Sequence, residues 1–412
     1  MPINRTIKQV HTLILILFVT TLLTGCWDRI EIDERAVVLG VSIDKAVEDE
    51  EEMESEVTHV EGSLPAPGKD MVHVAIQIAL PGRIPLGPGE SGGASGNPRQ
   101  TLWVVDVFGH SIDDAFMNLQ QQVSSRLFFG HLRVIVISEE VAKRGLENIN
   151  DYFRRNSEVR RMAWLMVSKG KAIELMKASP KLERIPTLYL MSTLDEGIKM
   201  GKFPKDYIGI FWSNISKKGQ EGFLPYVELK KSDNVEIKGL AYFKGQKMVG
   251  ATKPIEIAGY LGLRGINPAG YRAVIKLDNL SSTVITSAAH RSSKIKVQIK
   301  NGVPHFAVDV MLEVNVEEII GGESISMDNL GFLTEVEQKQ GEASVKFYEN
   351  IIKKTQQKKS DIFGFGEYVR AKEPGYWKRH IGSKEKWELL YPESTFDIHV
   401  VTKIRRIGMK AK

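Results

Sequence analysis

Apolar and polar positions alternate strictly in several stretches of the chain. Val72, Val74, Ile76, Ile78 and Leu80 form one such run, the pattern of a strand with one face on a core. Phe306, Val308, Val310, Leu312, Val314 and Val316 form a stricter one, preceded by Ile295, Val297 and Ile299 across a turn at Asn301-Gly302. Residues 36–43 (AVVLGVSI) read as a buried strand. From residue 101 strands and helices take turns. Residues 102–108 are a strand, and Ser111 then caps a helix, with Asp114 three positions on. Ile112, Ala115, Phe116, Leu119 and Val123 share one face of that helix. Strands follow at 132–137 and 162–167, and helices at 139–155, 171–178 and 186–199, the last with Leu188, Met191, Leu194 and Ile198 as its inward stripe.

This alternation predicts an α/β layer with neighbouring strands parallel and helices covering the sheet. The first domain closes near Met200. Residues 201–229 read as irregular, rich in Gly, Pro and aromatics. A hairpin over 236–251 turning at 244–247, a helical turn after Pro254, and strands near 271–275 and 282–286 suggest a small middle domain. The third domain has two alternating strands, a long helix over 328–359 and a last strand carrying Phe396, Ile398, Val400 and Thr402. Leu333, Val336, Phe347 and Ile351 point inward from the long helix, and Lys353, Lys354, Lys358 and Lys359 sit at its C-terminal end, where the helix dipole favours cations. The expected fold is α/β and α+β, a three-domain body with mixed sheets flanked by helices. Its C-terminal antiparallel sheet packs on the long helix. The divisions fall at 26–200, 201–290 and 291–412, behind a signal peptide at 1–25. Two segments read as exposed loops, the acidic run 48–56 and the Gly/Pro-rich stretch 81–98. No internal repeat is visible.

The N-terminus adds a different kind of information. Arg5 and Lys8 precede a short apolar run, 12–23 (TLILILFVTTLL), which ends in Leu23-Thr24-Gly25-Cys26. A positive start, a greasy middle and a small-residue exit make a secretory signal. The apolar run is short for a membrane span. Its last four residues match a bacterial lipobox, in which the cysteine sulfur receives diacylglycerol and the chain is cut just before it. Cys26 is the only cysteine in the 412 residues. Two acyl chains anchor stably, since each buried methylene contributes about 0.8 kcal/mol and one chain alone is marginal. The expectation is a folded body lipid-anchored to the outer face of a bacterial membrane.

Composition narrows the remaining classes. With a net charge of +5, and Arg5 and Lys8 leaving with the signal, the charge is too small to argue for nucleic acid, and no binding motif supports it. With its single cysteine lipidated, the body can form no internal disulfide and relies on its core. Gly89-Glu90-Ser91-Gly92-Gly93 fits the G-x-S-x-G pattern of serine hydrolases. It lacks the strand and helix that a nucleophile elbow requires on either side. Gly364-Phe365-Gly366 begins like a dinucleotide fingerprint, but Val369 stands at the third glycine and no strand leads in. The nine histidines show no zinc-type spacing. No catalytic, metal or cofactor residue is expected. Arg154, Arg155, Arg160 and Arg161 cluster around Glu158, either as a solvated helix end with local ion pairs or as a contact for lipid headgroups or an acidic partner.

An ordered set of short segments carries a resemblance. It begins with Cys26-Trp27-Asp28-Arg29-Ile30-Glu31 and continues through 38–44 (VLGVSID), 77–81 (QIALP) and 127–133 (LFFGHLR). Next come 151–155 (DYFRR), 158–160 (EVR), 239–243 (GLAYF) and 248–250 (MVG). It closes with 361–366 (DIFGFG), Trp377, Trp387 and 406–408 (RIG). In this order they resemble the Ger(x)C family of spore germination lipoproteins, the C subunit of GerA-type nutrient germinant receptors. The resemblance implies a three-domain body held by its lipid on the spore inner membrane. It implies work beside A and B integral-membrane subunits in nutrient-triggered germination, without known catalysis. Cys26, as the lipid attachment site, is the one functional residue it carries over. Two rivals stand beside it: a tethered solute-binding protein that captures the nutrient itself, and an exported hydrolase using Ser91.

Overall fold

The computed structural model describes residues 11–14, 34–46, 57, 71–80, 102–178, 183, 185–231, 233–277, 282–321 and 330–407. Cys26, the acidic run 48–56, the 81–98 loop and Ser91 within it lie outside these residues. No described helix is long and apolar enough to cross a membrane.

Two sheets organise the molecule. The first has nine strands in the order β3-β2-β1-β5-β6-β7-β8-β9, with β4 pairing on β1. Its centre is parallel. β1 (Arg35–Lys45) runs alongside β4 (Arg126–Phe128) and β5 (Val134–Ser138), followed by β6 (Trp164–Ser168) and β7 (Phe223–Leu229). Its flanks are antiparallel: β2 (Val72–Ala79) and β3 (Leu102–Gly109) on one side, β8 (Val235–Lys244) and β9 (Lys247–Ala251) on the other. The expected parallel neighbours therefore hold for β5 and β6, whereas β3 pairs antiparallel with β2. The second sheet has the order β10-β11-β12-β13, made of β10 (Arg272–Lys276), β11 (Thr283–Lys300), β12 (Val303–Ile320) and β13 (Thr395–Ile407).

Alternation along the central strands decides which layer each residue joins. In β5, Ile135 and Ile137 enter one core, and Val134 and Val136 the other. β6 repeats this, with Leu165 and Val167 on one face and Trp164 and Met166 on the opposite one. The first face is covered by α1 (Ile112–Gln120), α2 (Glu139–Arg144), α3 (Glu147–Arg155) and α6 (Ile208–Ser216). Against the second face pack α4 (Ala172–Lys177), α5 (Pro186–Lys199), α7 (Glu256–Leu263) and the second sheet with its long helix α8 (Leu330–Gln357). Ser111 caps α1 as expected, accepting the Asp114 N–H at 3.1 Å, while the Asp114 carboxylate reaches back to the His110 N–H at 2.8 Å. A polar group at a helix start replaces the missing intrahelical partner of a first-turn amide.

Three expectations are corrected. Residues 201–229 are not irregular: they hold α6 and β7. β7, β8 and β9, expected in part as a small middle domain, extend the nine-stranded sheet. The C-terminal sheet is mixed, because β12 pairs with β13 in parallel. α8, α9 (Phe365–Lys372) and α10 (Lys384–Leu390) lie between the two strands, and a connection that long allows parallel pairing where a hairpin would not. The α5 stripe also shifts: Leu190 and Leu194 are buried, with Met191 and Ile198 half-buried beside them.

Candidate functional site

Most of the described motif residues turn out to hold elements together. Asp44, at the end of β1, accepts the N–H groups of Ala172 and Ile173 at 2.7 and 2.9 Å and so caps α4. Its burial raises its pKa, and the two amides work against that rise. Gln77 is buried. It donates to the Met176 carbonyl at 3.1 Å and accepts from the Thr187 hydroxyl at 2.7 Å, tying β2 to α4 and α5.

The 361–366 segment builds the densest polar cluster. Asp361 is fully buried and accepts three donors: the N–H of Gly364 at 2.8 Å, the N–H of Gly366 at 2.9 Å and the Trp387 indole Nε1 at 3.0 Å. Burial pushes its pKa up to about 6 in spite of those donors. Around it, the link from α6 to β7 meets the start of α9. Glu221 N–H donates to the Asp361 carbonyl at 2.8 Å, and Gly219 N–H donates to the Glu367 carboxylate at 2.8 Å. Gly219 and Gly366 lie back to back, with no room for a Cβ on either. Lys384, from α10, reaches the Ile215 carbonyl at 2.9 Å and the buried Glu221 carboxylate at 2.9 Å. Burial outweighs that ammonium and pushes the Glu221 pKa up to about 8. The cluster is a joint between the two sheets: Asp361 is engaged by three structural donors, and Glu221 through one oxygen, its Oε1 having no hydrogen-bond partner among the described residues.

The arginine cluster lies elsewhere. Arg154, Arg155, Arg160 and Arg161 are all exposed. Arg155 pairs with Asp151 at 2.7 Å, and the Arg154 guanidinium lies 5.2 Å from the Trp212 ring centre. Glu158, expected amid these arginines, instead accepts the Phe129 N–H at 2.9 Å.

No group of three or more metal-ligating side chains occurs among the described residues. Among the described histidines, His73 pairs with Asp106 at 2.7 Å and His305 with Asp397 at 3.1 Å. Two shallow clefts open on the surface. One, of ≈ 550 Å³, lies between α8 and the start of β13, and the other, of ≈ 530 Å³, lies between the start of α1 and α3. Nothing in the local pattern marks Asp206, which is fully buried with neither carboxylate oxygen hydrogen-bonded among the described residues. Nor did it mark Arg291, whose buried guanidinium holds the carbonyls of Gly201 and Pro268 at 3.2 and 3.1 Å. Burial of a charged side chain leaves no trace in local sequence pattern.

Comparison with known proteins agrees with this architecture. Residues 28–229 match the family described as spore germination protein N-terminal domain, and residues 238–408 match the one described as spore germination B3/GerAC like, C-terminal. The chain is 25% identical over 417 residues to spore germination protein KC of Bacillus subtilis, covering 96% of this chain and 95% of that protein. It is 26% identical over 414 residues to the putative spore germination protein YfkR of the same organism, covering 96% and 95%. The crystal structure of the GerBC protein superposes with a TM-score of 0.55 at 19% identity, over 81% of this chain and 93% of that one, and supports the fold. With both halves matched in order over nearly the whole length, the chain belongs to the GerAC-like family of spore germination proteins.

Proposed function

We propose that this chain is a lipid-anchored, non-catalytic subunit of a nutrient germinant receptor, held on the outer face of the spore inner membrane by diacylglycerol on Cys26. There it works with the A and B integral-membrane subunits. The observation that carries this reading is the matched pair of family segments, 28–229 and 238–408, beginning two residues after the lipobox cysteine. The tether gives the subunit a physical role: confinement to a surface raises its effective concentration beside membrane partners. The buried Asp361 carboxylate of the joint, committed to three structural donors, favours a scaffold over an enzyme.

Spores lacking the gene, complemented with the wild-type or the Cys26→Ala chain, test the reading. Across a panel of amino acids and sugars, the wild-type chain restores the response to one nutrient class. Cys26→Ala leaves the membrane fraction and restores it poorly or not at all. Full restoration by a Cys26→Ala chain that stays in the membrane fraction would refute the anchor.

A further inference from the structure

We infer that the end of the nine-stranded sheet where its parallel strands begin is a docking face for an anionic phospholipid surface, and that Arg126, Arg133, Arg160 and Arg161 there hold the body against the bilayer. This rests on the proposed anchoring at Cys26. The register places the arginines. Arg35 opens β1 and pairs across to Arg126, which opens β4. Arg133 donates its N–H to the Leu39 carbonyl, one residue before β5 begins. Arg160 and Arg161 sit just before β6: the Ala163 N–H bonds the Arg160 carbonyl, and the Gly209 N–H bonds the Arg161 carbonyl. β1, β4, β5 and β6 all run in parallel, so these residues gather at one end of the sheet.

The charge balance at this end differs from that at the other. At the opposite ends of the same strands, Lys45 pairs with Glu140, Lys143 with Glu139 and Lys169 with Glu228, at 3.1, 2.6 and 2.7 Å. Arg126, Arg133, Arg160 and Arg161 are exposed and form no ion pair among the described residues. The nearby acids are otherwise committed: Asp151 holds Arg155, and Glu158 turns to the Phe129 amide. Glu34 is exposed ahead of β1, and Asp195 accepts the indole N–H of Trp164, the first residue of β6, at 3.2 Å. Met162, between Arg161 and β6, is 72% exposed and adds an apolar contact of the kind that sits at a headgroup boundary.

The chain also enters the body at this end. Eight residues lie between Cys26 and Arg35, a span of at most about 30 Å even when extended. The link carries Asp28, Glu31, Asp33 and Glu34 against Arg29, so attraction to an anionic surface must come from the body. Each arginine brought to such a surface favours docking about fivefold. The effect fades within a Debye length of about 8 Å at physiological salt, so only residues at the surface itself contribute.

The lipidated full chain, reconstituted on vesicles of phosphatidylcholine with or without phosphatidylglycerol, tests this. Flotation reads the anchor, and hydrogen exchange of segments 126–133 and 158–163 reads docking. The chain should float with both compositions, since two acyl chains suffice. Protection of both segments should appear only with phosphatidylglycerol and weaken as salt rises. Replacing Arg126, Arg160 and Arg161 together by Gln should lower that protection on the order of a hundredfold. The variant should still float and keep the exchange of β5 unchanged, as a control on folding. Equal protection on both lipids, or none on either, overturns the proposal. Protection that appears only when membrane subunits are added assigns the face to an acidic protein and also overturns it. Failure to float on phosphatidylcholine would refute the anchor alone. Arginine-dependent flotation with phosphatidylglycerol would still support the face, and its absence would overturn it.

Discussion

Four of the buried carboxyl groups differ in what meets them. Asp44 and Asp361 face backbone amides and an indole N–H, Glu221 faces an ammonium, and Asp206 faces no hydrogen-bond donor among the described residues. A buried carboxylate without donors is unfavourable, so such a group stays protonated. Burial accordingly raises the Asp206 pKa well above its ordinary value of 3.8. Because the folded-state pKa lies above the unfolded one, the fold binds this proton more tightly than the open chain does. Its contribution to stability is complete below pH 3.8 and is lost as pH rises through the folded-state value. Asp206→Asn removes the ionisable group and keeps the shape. The variant should melt a few degrees higher than wild type at pH 7, with the gain shrinking to nothing below pH 4. A thermal melt series across pH checks this, and a wild type more stable than the variant at pH 7 would contradict it.

At the scale of elements, what could be read in the sequence is what alternates or caps. The hairpin of β11 and β12 was legible because Val308, Val310, Leu312 and Val314 keep strict period two into one core, and because Asn301 and Gly302 both adopt the positive φ that its tight turn requires. α6 was not, since its three core residues, Ile208, Phe211 and Trp212, sit in a short span flanked by Gly and aromatics that masks the helical period. Partnership between strands was least legible: neither β6–β7 nor β12–β13 has a local signal, because pairing across dozens of residues is decided by packing. The joint at Gly219 and Gly366 belongs to this class. A methyl group on Gly219 would meet the carbonyl carbon of Gly366 and the amide of Glu367, backbone atoms that cannot rotate away. Gly219→Ala should therefore cost about 1–3 kcal/mol and speed hydrogen exchange in 360–367 more than in β1, and uniform exchange across the two segments would argue against a local joint.

For the molecule as a whole, the question is whether two sheets make one cooperative unit. The second core draws Val134 and Val136 from β5, Trp164 and Met166 from β6, and Leu240 and Tyr242 from β8. Into the same core go Val308 and Val310 from β12, Ile351 and Ile352 from α8, and Ile398 from β13. Residues some 260 positions apart thus share one apolar interior, sealed by the Asp361 cluster. The expected division at 200 and 290 rests on shifts in local pattern, which register a change of element type and carry no information on a core shared across it. If the core couples the sheets, heating the body unfolds it in one transition, with calorimetric and van't Hoff enthalpies nearly equal. Independent domains at 26–200, 201–290 and 291–412 would instead melt separately, as multidomain chains of this size commonly do. Gly219→Ala then separates the cases further. In a coupled body it lowers the single melting temperature and leaves one transition, whereas in a divided one it splits or shifts only the later segment.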